Sequence, residues 1–233
     1  MCGRFAVTLP IDAMAQLFEA APANDLPQIP NYNVCPTTQI HGVRLGETGR
    51  QLVSMRWGFL PHWYKSPSDG PLLINARAET LAEKPAFRAA CRERRCLIPA
   101  TGFYEWTKDE AGNRLPWYIH PQGDVPLVFA GLWQSWTQPE SGESLQTCAI
   151  VTTQSNSSLS FIHHRMPVTL APEDYGLWLG EKGKGAARLM QPGPEDRFSA
   201  YRVDPQVNSN RAEGPELIEP FDDPGQAQLL PQE

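Results

Sequence analysis

Several kinds of residue and segment are scarce or missing from this 233-residue chain, and each gap excludes a class of protein. No apolar run approaches the roughly 20 residues needed to span a bilayer, so no membrane helix is expected. The chain does not open with a basic region followed by an apolar stretch, which argues against a signal peptide and for a cytoplasmic location. Cysteine is sparse: Cys2, Cys35, Cys91, Cys96 and Cys148 form no CxxC pair and leave an odd one over. That count argues against a disulfide framework or a structural zinc site. Positive charge is outnumbered, with 20 Lys and Arg against 26 Asp and Glu and a net charge of -6. A broadly basic nucleic-acid surface is therefore excluded, and any phosphate contact has to be local. There is no internal repeat. Nothing calls for a cofactor.

What is present fits one globular domain over residues 1–220, followed by a disordered tail at 221–233 rich in Pro, Gly, Gln and Asp. Apolar periodicity predicts a helix over Thr8 to Ala20, with Ile11, Met14, Leu17 and Phe18 on one face, and a second from Thr80–Pro85 to Arg94. Short helices are expected at Glu173 to Leu179 and Gly185 to Met190. Strands are expected at Gln39–Leu45, Gln51–Phe59, Leu72–Ala76, Arg95–Pro99, Trp117–His120, Leu127–Trp133, Thr147–Thr153 and Met166–Leu170. The 18 Gly and 23 Pro punctuate them. The sum is an α+β, strand-rich fold of curled or barrel-like antiparallel sheets with peripheral helices.

The first residues, Met1-Cys2-Gly3-Arg4-Phe5, carry distinctive chemistry. Loss of Met1 leaves Cys2 with an α-amine and a thiol, whose ordinary pKa values lie near about 8 and about 8.5. Such a pair captures aldehydes: the amine forms an imine, and the thiol closes a five-membered thiazolidine. By itself, a cysteine at position 2 is more often an ordinary residue of a frayed terminus.

Four further segments carry polar groups that strand cores do not ask for: Asn31-Tyr32-Asn33-Val34, Asn75-Ala76-Arg77-Ala78-Glu79-Thr80, Gly102-Phe103-Tyr104-Glu105-Trp106 and Ile162-His163-His164-Arg165-Met166-Pro167. With the opening pentapeptide, Trp57-Gly58, and the stretch from Val207-Asn208 to Gly214-Pro215-Glu216-Leu217-Ile218, the chain resembles the SOS response-associated peptidase family. The resemblance runs from Met1 to about Pro220. It implies an abasic-site sensor, a monomer whose partner is single-stranded DNA carrying abasic sites. Cys2 would cross-link covalently to the lesion through an imine and then a thiazolidine, shielding it. AP-lyase activity and peptidase-like self-processing of Met1 are further implications.

An abasic sugar is mainly a closed hemiacetal, so capture needs an acid and a base to open the ring and expel water. Glu105, flanked in sequence by Tyr104 and Trp106, suits that work if burial against the rings raises its pKa. His163 titrates near neutrality. The family pattern Ile-His-x-Arg-Met-Pro selects His163 over His164, and His164 departs from the usual Asp or Asn at x. On an extended segment the two histidines would point to opposite faces. Asn75 occupies the place of the family's active-site asparagine and is suited to orienting the Cys2 amine. Arg77 and Arg165, two residues beyond Asn75 and His163, suit forked contacts with phosphates. The resemblance adds Arg4, Asn33 and Thr152 as DNA-binding positions, and the flat indoles of Trp63 and Trp106 suit stacking on splayed bases. Cys35 stands where small residues are usual.

Two other functions stay open. A cysteine peptidase or amidase, with Cys2 as nucleophile and His163 as base, would form an acyl-enzyme without needing an aldehyde. A non-covalent single-strand binder would tolerate loss of Cys2. A metal hydrolase using His163, His164 and a cysteine is disfavoured, because no spaced ligand pair completes the set.

Overall fold

The computed structural model describes residues 2–123 and 126–221, so the expected C-terminal tail lies outside the described residues apart from Phe221. In chain order the elements are β1 (Phe5–Val7), α1 (Ile11–Phe18), β2 (Ala20–Pro22), β3 (Asn31–Val34), β4 (Gln39–Gly46), β5 (Gly49–Trp57), β6 (Asn75–Arg77), α2 (Pro85–Glu93), β7 (Arg95–Ala100), β8 (Gly102–Lys108), β9 (Arg114–Pro121), β10 (Leu127–Thr137), β11 (Ser144–Gln154), β12 (Arg165–Pro167), α3 (Tyr175–Leu179) and β13 (Phe198–Arg202), with short 3-10 turns between some of them.

Strands β5, β4, β7, β10 and β11 pair in that order, and β11 pairs back onto β5 in parallel at Thr147–Arg56 and Cys148–Trp57. The ring therefore closes into a barrel, which removes the open edges these strands would otherwise present. A second sheet, ordered β13, β9, β8, β1, β3, packs one face on the barrel. The faces meet through Phe5, whose ring is edge-on to Trp57 at 5.1 Å and to Phe129 at 5.8 Å, and through Phe103, 6.0 Å from Phe129. The strand alternation sends Ala6, Tyr104 and Tyr118 to the opposite face, where Val203, Val207 and Leu217 cover them. The strand-rich α+β expectation holds.

Helix α1 buries Met14 and Phe18 as its apolar spacing requires, but it is shorter than expected. Pro10 precedes its first turn, and Ala20 pairs with Arg50 as a strand instead of extending the helix. Of the expected strand Leu72–Ala76, only residues from Asn75 onward join a ladder, because Leu72 is exposed and Leu73 makes a lone bridge to Phe59. The expected strand Met166–Leu170 ends at Pro167, which has no N–H to donate, and resumes only as a bridge at Thr169.

Candidate active site

The site is assembled where two strand systems meet. Strand β1 runs antiparallel to β8 with Phe5 opposite Phe103, and the Tyr104 amide donates to the Arg4 carbonyl at 2.9 Å. The same course lays residues 2–4 along Tyr104–Trp106. On the other side, the C-terminal half of β11 is flanked by β6, with Asn75 opposite Ile150 and Arg77 opposite Thr152, and by β12, with Pro167 opposite Thr152. Two short strands separated by almost ninety residues thus deliver the asparagine and the histidine segment to one edge.

Cys2 is fully buried. Asn75 Nδ2 donates to its carbonyl at 2.9 Å, and Asn75 Oδ1 is a buried acceptor without a hydrogen-bond partner among the described residues. Burial pushes the Cys2 thiol far above the ordinary cysteine range, and the nearby Glu105 carboxylate pushes it further. Glu105 is 4% exposed, and burial raises its pKa in turn, opposed among other groups by His164 and Arg114.

The raised Glu105 pKa matches expectation, but the cause is different. Tyr104 and Trp106 project to the opposite face of β8, so the burial comes from the layer that also holds Cys2 and Phe103. Trp117, the cross-strand neighbour of Glu105, shares its face.

His163 is half-buried, and its burial lowers the ring's pKa. Its Nδ1 lies 2.9 Å from the Arg165 amide and 3.2 Å from the Arg165 carbonyl, so the Arg165 backbone orients the ring. The two histidines do not point apart. Their rings stack with centroids 4.4 Å apart, because the chain bends at His164 and β12 starts only at Arg165. Among the described residues no group of three His, Cys, Asp or Glu side chains is placed to hold a metal ion.

The remaining candidates separate into three environments. Arg77 is exposed beside Asn75 on β6. The Arg165 guanidinium is engaged internally: its two terminal nitrogens donate to Glu79 at 2.7 and 2.9 Å, and one of them donates to the Thr152 carbonyl at 2.7 Å. Thr152 is itself buried and acts on Arg165 rather than facing outward. Arg4 and Asn33, expected as DNA contacts, are buried in one network. Arg4 donates to Asn33 Oδ1 at 2.6 Å, the Val207 carbonyl at 2.9 Å and Asn210 Oδ1 at 2.5 Å. Asn33 Nδ2 donates to the carbonyls of Ala212 and Ser209. This network latches residues 207–212 against β1 and β3, and the buried Cys35 thiol donates to the Asn33 carbonyl beneath it. The reason is geometric: Arg4 alternates with Phe5 and shares the parity of Ala6, so it faces away from the barrel, whereas Cys2, which precedes β1, turns back into the layer of Phe5.

Trp106 also lies on that outer face, its Nε1 donating to Asn208 Oδ1 at 2.6 Å, with the Arg114 guanidinium 4.5 Å from the ring centroid. Trp63 is 47% exposed on the loop after β5, and its ring contacts, His62 and Tyr64, are local. The loop leaves β5 through Gly58, whose φ of +139° would strain any residue with a side chain. Glu79, Phe161 and Trp117 were not singled out from the sequence. Glu79 was the detectable one, two residues beyond Arg77 in the polar segment. A cavity of about 530 Å³ between α2 and residues 178–190 is lined by none of the site residues.

Comparisons with known proteins agree with this architecture. The family model for the SOS response associated peptidase (SRAP) matches residues 1–210. The chain is 39% identical over 225 residues to the abasic site processing protein YoqW of Bacillus subtilis, covering 94% of this chain and 99% of that one. It is 31% identical to the abasic site processing protein YedK of Escherichia coli, over 94% and 100% of the two chains. It is 30% identical to the abasic site processing protein HMCES of Rattus norvegicus, over 95% and 76%. A crystal structure of a protein from Bacteroides thetaiotaomicron superposes with a TM-score of 0.83 at 25% identity, covering 94% of this chain and all of that one. With a family model spanning most of its length and relatives above 30% identity along nearly all of it, this chain belongs to the SOS response associated peptidase family.

Proposed function

We propose that the protein senses abasic sites in single-stranded DNA by bonding to them through Cys2, as a DNA-associated monomer. The observation that carries this reading is the placement of residue 2, with its carbonyl held by Asn75 at 2.9 Å and its thiol within the field of Glu105. Relatives named as abasic site processing proteins supply the substrate class.

Removal of Met1, by self-processing or by an aminopeptidase, frees the Cys2 amine. Asn75 Oδ1, the buried acceptor without a described partner, then accepts one of its protons and aims the nitrogen lone pair. Glu105 has a raised pKa, so near neutrality it exchanges a proton more readily than an ordinary carboxylate. It takes the proton of the sugar hydroxyl as the ring opens, and the His163 imidazole supplies a proton to the departing ring oxygen. The amine adds to C1′, water leaves, and an imine forms. The thiol S–H then adds across the C=N bond: sulfur bonds to C1′, and its proton passes to nitrogen by way of Glu105. Tethering of thiol and amine on one residue makes ring closure effectively intramolecular. β-Elimination from the imine would give lyase activity, which the closed ring suppresses.

For DNA contact the exposed Arg77 is ready for a phosphate, whereas Arg165 must first exchange Glu79 for one. Trp106 and Trp63 are the remaining stacking candidates. Thr152 acts by positioning Arg165, and Arg4 and Asn33 by holding the strand that presents Cys2.

The test is a denaturing gel after incubation of the Met1-free protein with single-stranded DNA bearing one abasic site. A denaturation-resistant adduct is expected that needs both the lesion and Cys2. Cys2→Ala should give none, and Cys2→Ser only an imine that borohydride traps. An adduct of wild-type durability in Cys2→Ser would overturn the thiazolidine step, and one in Cys2→Ala would overturn the whole reading.

A further inference from the structure

Phe161 is the most exposed large apolar side chain among those described, at 62%, and it stands two residues before His163. Its neighbours are the reverse: Leu159 and Ile162 are buried at 3% and 5%. The turn between them is fixed by amide bonds from Ile162 and His163 to the Leu159 carbonyl, at 3.0 and 3.2 Å. Upstream, Asn156 Oδ1 accepts from the Leu159 amide at 3.1 Å, and Asn156 Nδ2 donates to the Gly193 carbonyl at 2.9 Å. An isolated exposed phenylalanine is ordinary on a protein surface. One held outward by a pinned turn beside an active-site residue calls for an explanation.

Among the described residues its ring contact is with Trp117, edge-on at 5.4 Å and 87°. Trp117 is the cross-strand neighbour of Glu105, so both side chains leave the sheet on the same face. Trp117 is fixed by Nε1 donating to Thr107 Oγ1 at 3.0 Å, with the Arg202 guanidinium 5.7 Å from its ring centroid. A rigid indole thus braces the phenyl ring, linking the turn that carries His163 to the strand pair that carries Glu105.

We infer that Phe161, braced by Trp117, is a stacking platform for the base of a nucleotide flanking the lesion. This rests on the single-stranded DNA reading above and adds the determinant that reads the neighbouring base. An abasic nucleotide has no base of its own to stack, so the binding contributed by bases must come from its neighbours. An exposed π-face on a preordered turn accepts any base at small conformational cost. The ring is uncharged, so this contribution is insensitive to salt, which suits a chain of net charge -6.

Affinity is read by fluorescence anisotropy in the Cys2→Ala background, so the result does not depend on covalent attachment. The probe is a single-stranded oligonucleotide with a tetrahydrofuran residue in place of the abasic sugar. It is made with a purine at both flanking positions, or with a second tetrahydrofuran at one flank or the other. Deleting the base on one flank should weaken binding roughly tenfold, as expected for loss of one base–aromatic stack. Phe161→Ala should bind the purine-flanked probe about as weakly and lose the distinction between probes, and Phe161→Trp should restore both. Unchanged thermal unfolding in Phe161→Ala would establish that the turn is intact. The inference is overturned if neither flanking base matters, or if Phe161→Ala keeps the full flank dependence. Failure of covalent capture would instead show as a missing adduct in the gel assay with Cys2 present.

Discussion

Asn75→Asp is the smallest change that attacks the placement of Cys2. The side chains are nearly isosteric, but the amide donor that reaches the Cys2 carbonyl at 2.9 Å becomes a carboxylate oxygen. Two acceptors then face each other, and a second carboxylate joins Glu105 around the same residue. Leaving a buried carbonyl without its donor costs about 1 to 3 kcal/mol. If that cost falls on the docked conformation of residue 2, the reactive population drops by about 5- to 150-fold, since each 1.4 kcal/mol is tenfold. Charge repulsion at neutral pH adds to the loss. Single-turnover cross-linking followed by denaturing gel should therefore slow by at least an order of magnitude at pH 7.5. As pH falls toward the ordinary carboxylate range, the introduced carboxyl group takes up a proton and regains a hydroxyl donor, so the deficit relative to wild type should shrink. Because Asn75 is only half-buried, global unfolding should shift little. A variant that cross-links at the wild-type rate at neutral pH would show that the Asn75–Cys2 bond does not present the nucleophile.

Glu105→Gln should separate stability from chemistry. Burial raises the folded-state pKa of Glu105, so as pH climbs above the ordinary carboxylate value the unfolded chain releases this proton first and wild-type stability declines. The amide variant lacks that decline: urea unfolding should show it gaining on wild type as pH rises above the ordinary carboxylate value and converging with it in acid, while cross-linking falls sharply. A pH-independent difference would remove the buried-carboxylate argument. For Arg4→Met, loss of charge-assisted bonds to Asn33, Val207 and Asn210 should cost about 3 kcal/mol, a fall of roughly 6 to 12 °C in Tm. If Arg4 were instead held ready for DNA, calorimetry would find Tm unchanged and only the affinity for single-stranded DNA reduced.

The order of chemistry-bearing segments was legible because each is a short run of polar types that a strand core has no use for. Glu105 and Asn75 could be named because these runs, taken together, resemble a known family, and the barrel strands by their apolar runs. The segments that were harder to read are those whose partners are distant. Strands β1, β3, β8 and β13 were not assigned from local pattern: three of them span only three to five residues, and β8 carries the polar groups of the site. Arg4 and Asn33 show the same limit. Whether an arginine near the N-terminus reaches solvent or the carbonyl of Val207 depends on contacts across more than two hundred residues.

Composition and residue types alone determined that this is a strand-rich α+β protein with no membrane helix, and that a cysteine freed of Met1 carries the amine and thiol of aldehyde chemistry. These follow from side-chain chemistry and periodicity, which are local. Tertiary structure decided the rest: which face of β8 surrounds Glu105, that His163 and His164 stack, that Glu79 holds Arg165, and that Phe161 stands exposed beside Trp117. Each of these depends on strand register and on where a short strand begins. A shift of one residue reverses the face on which a side chain appears, and only the closed set of long-range pairings determines it.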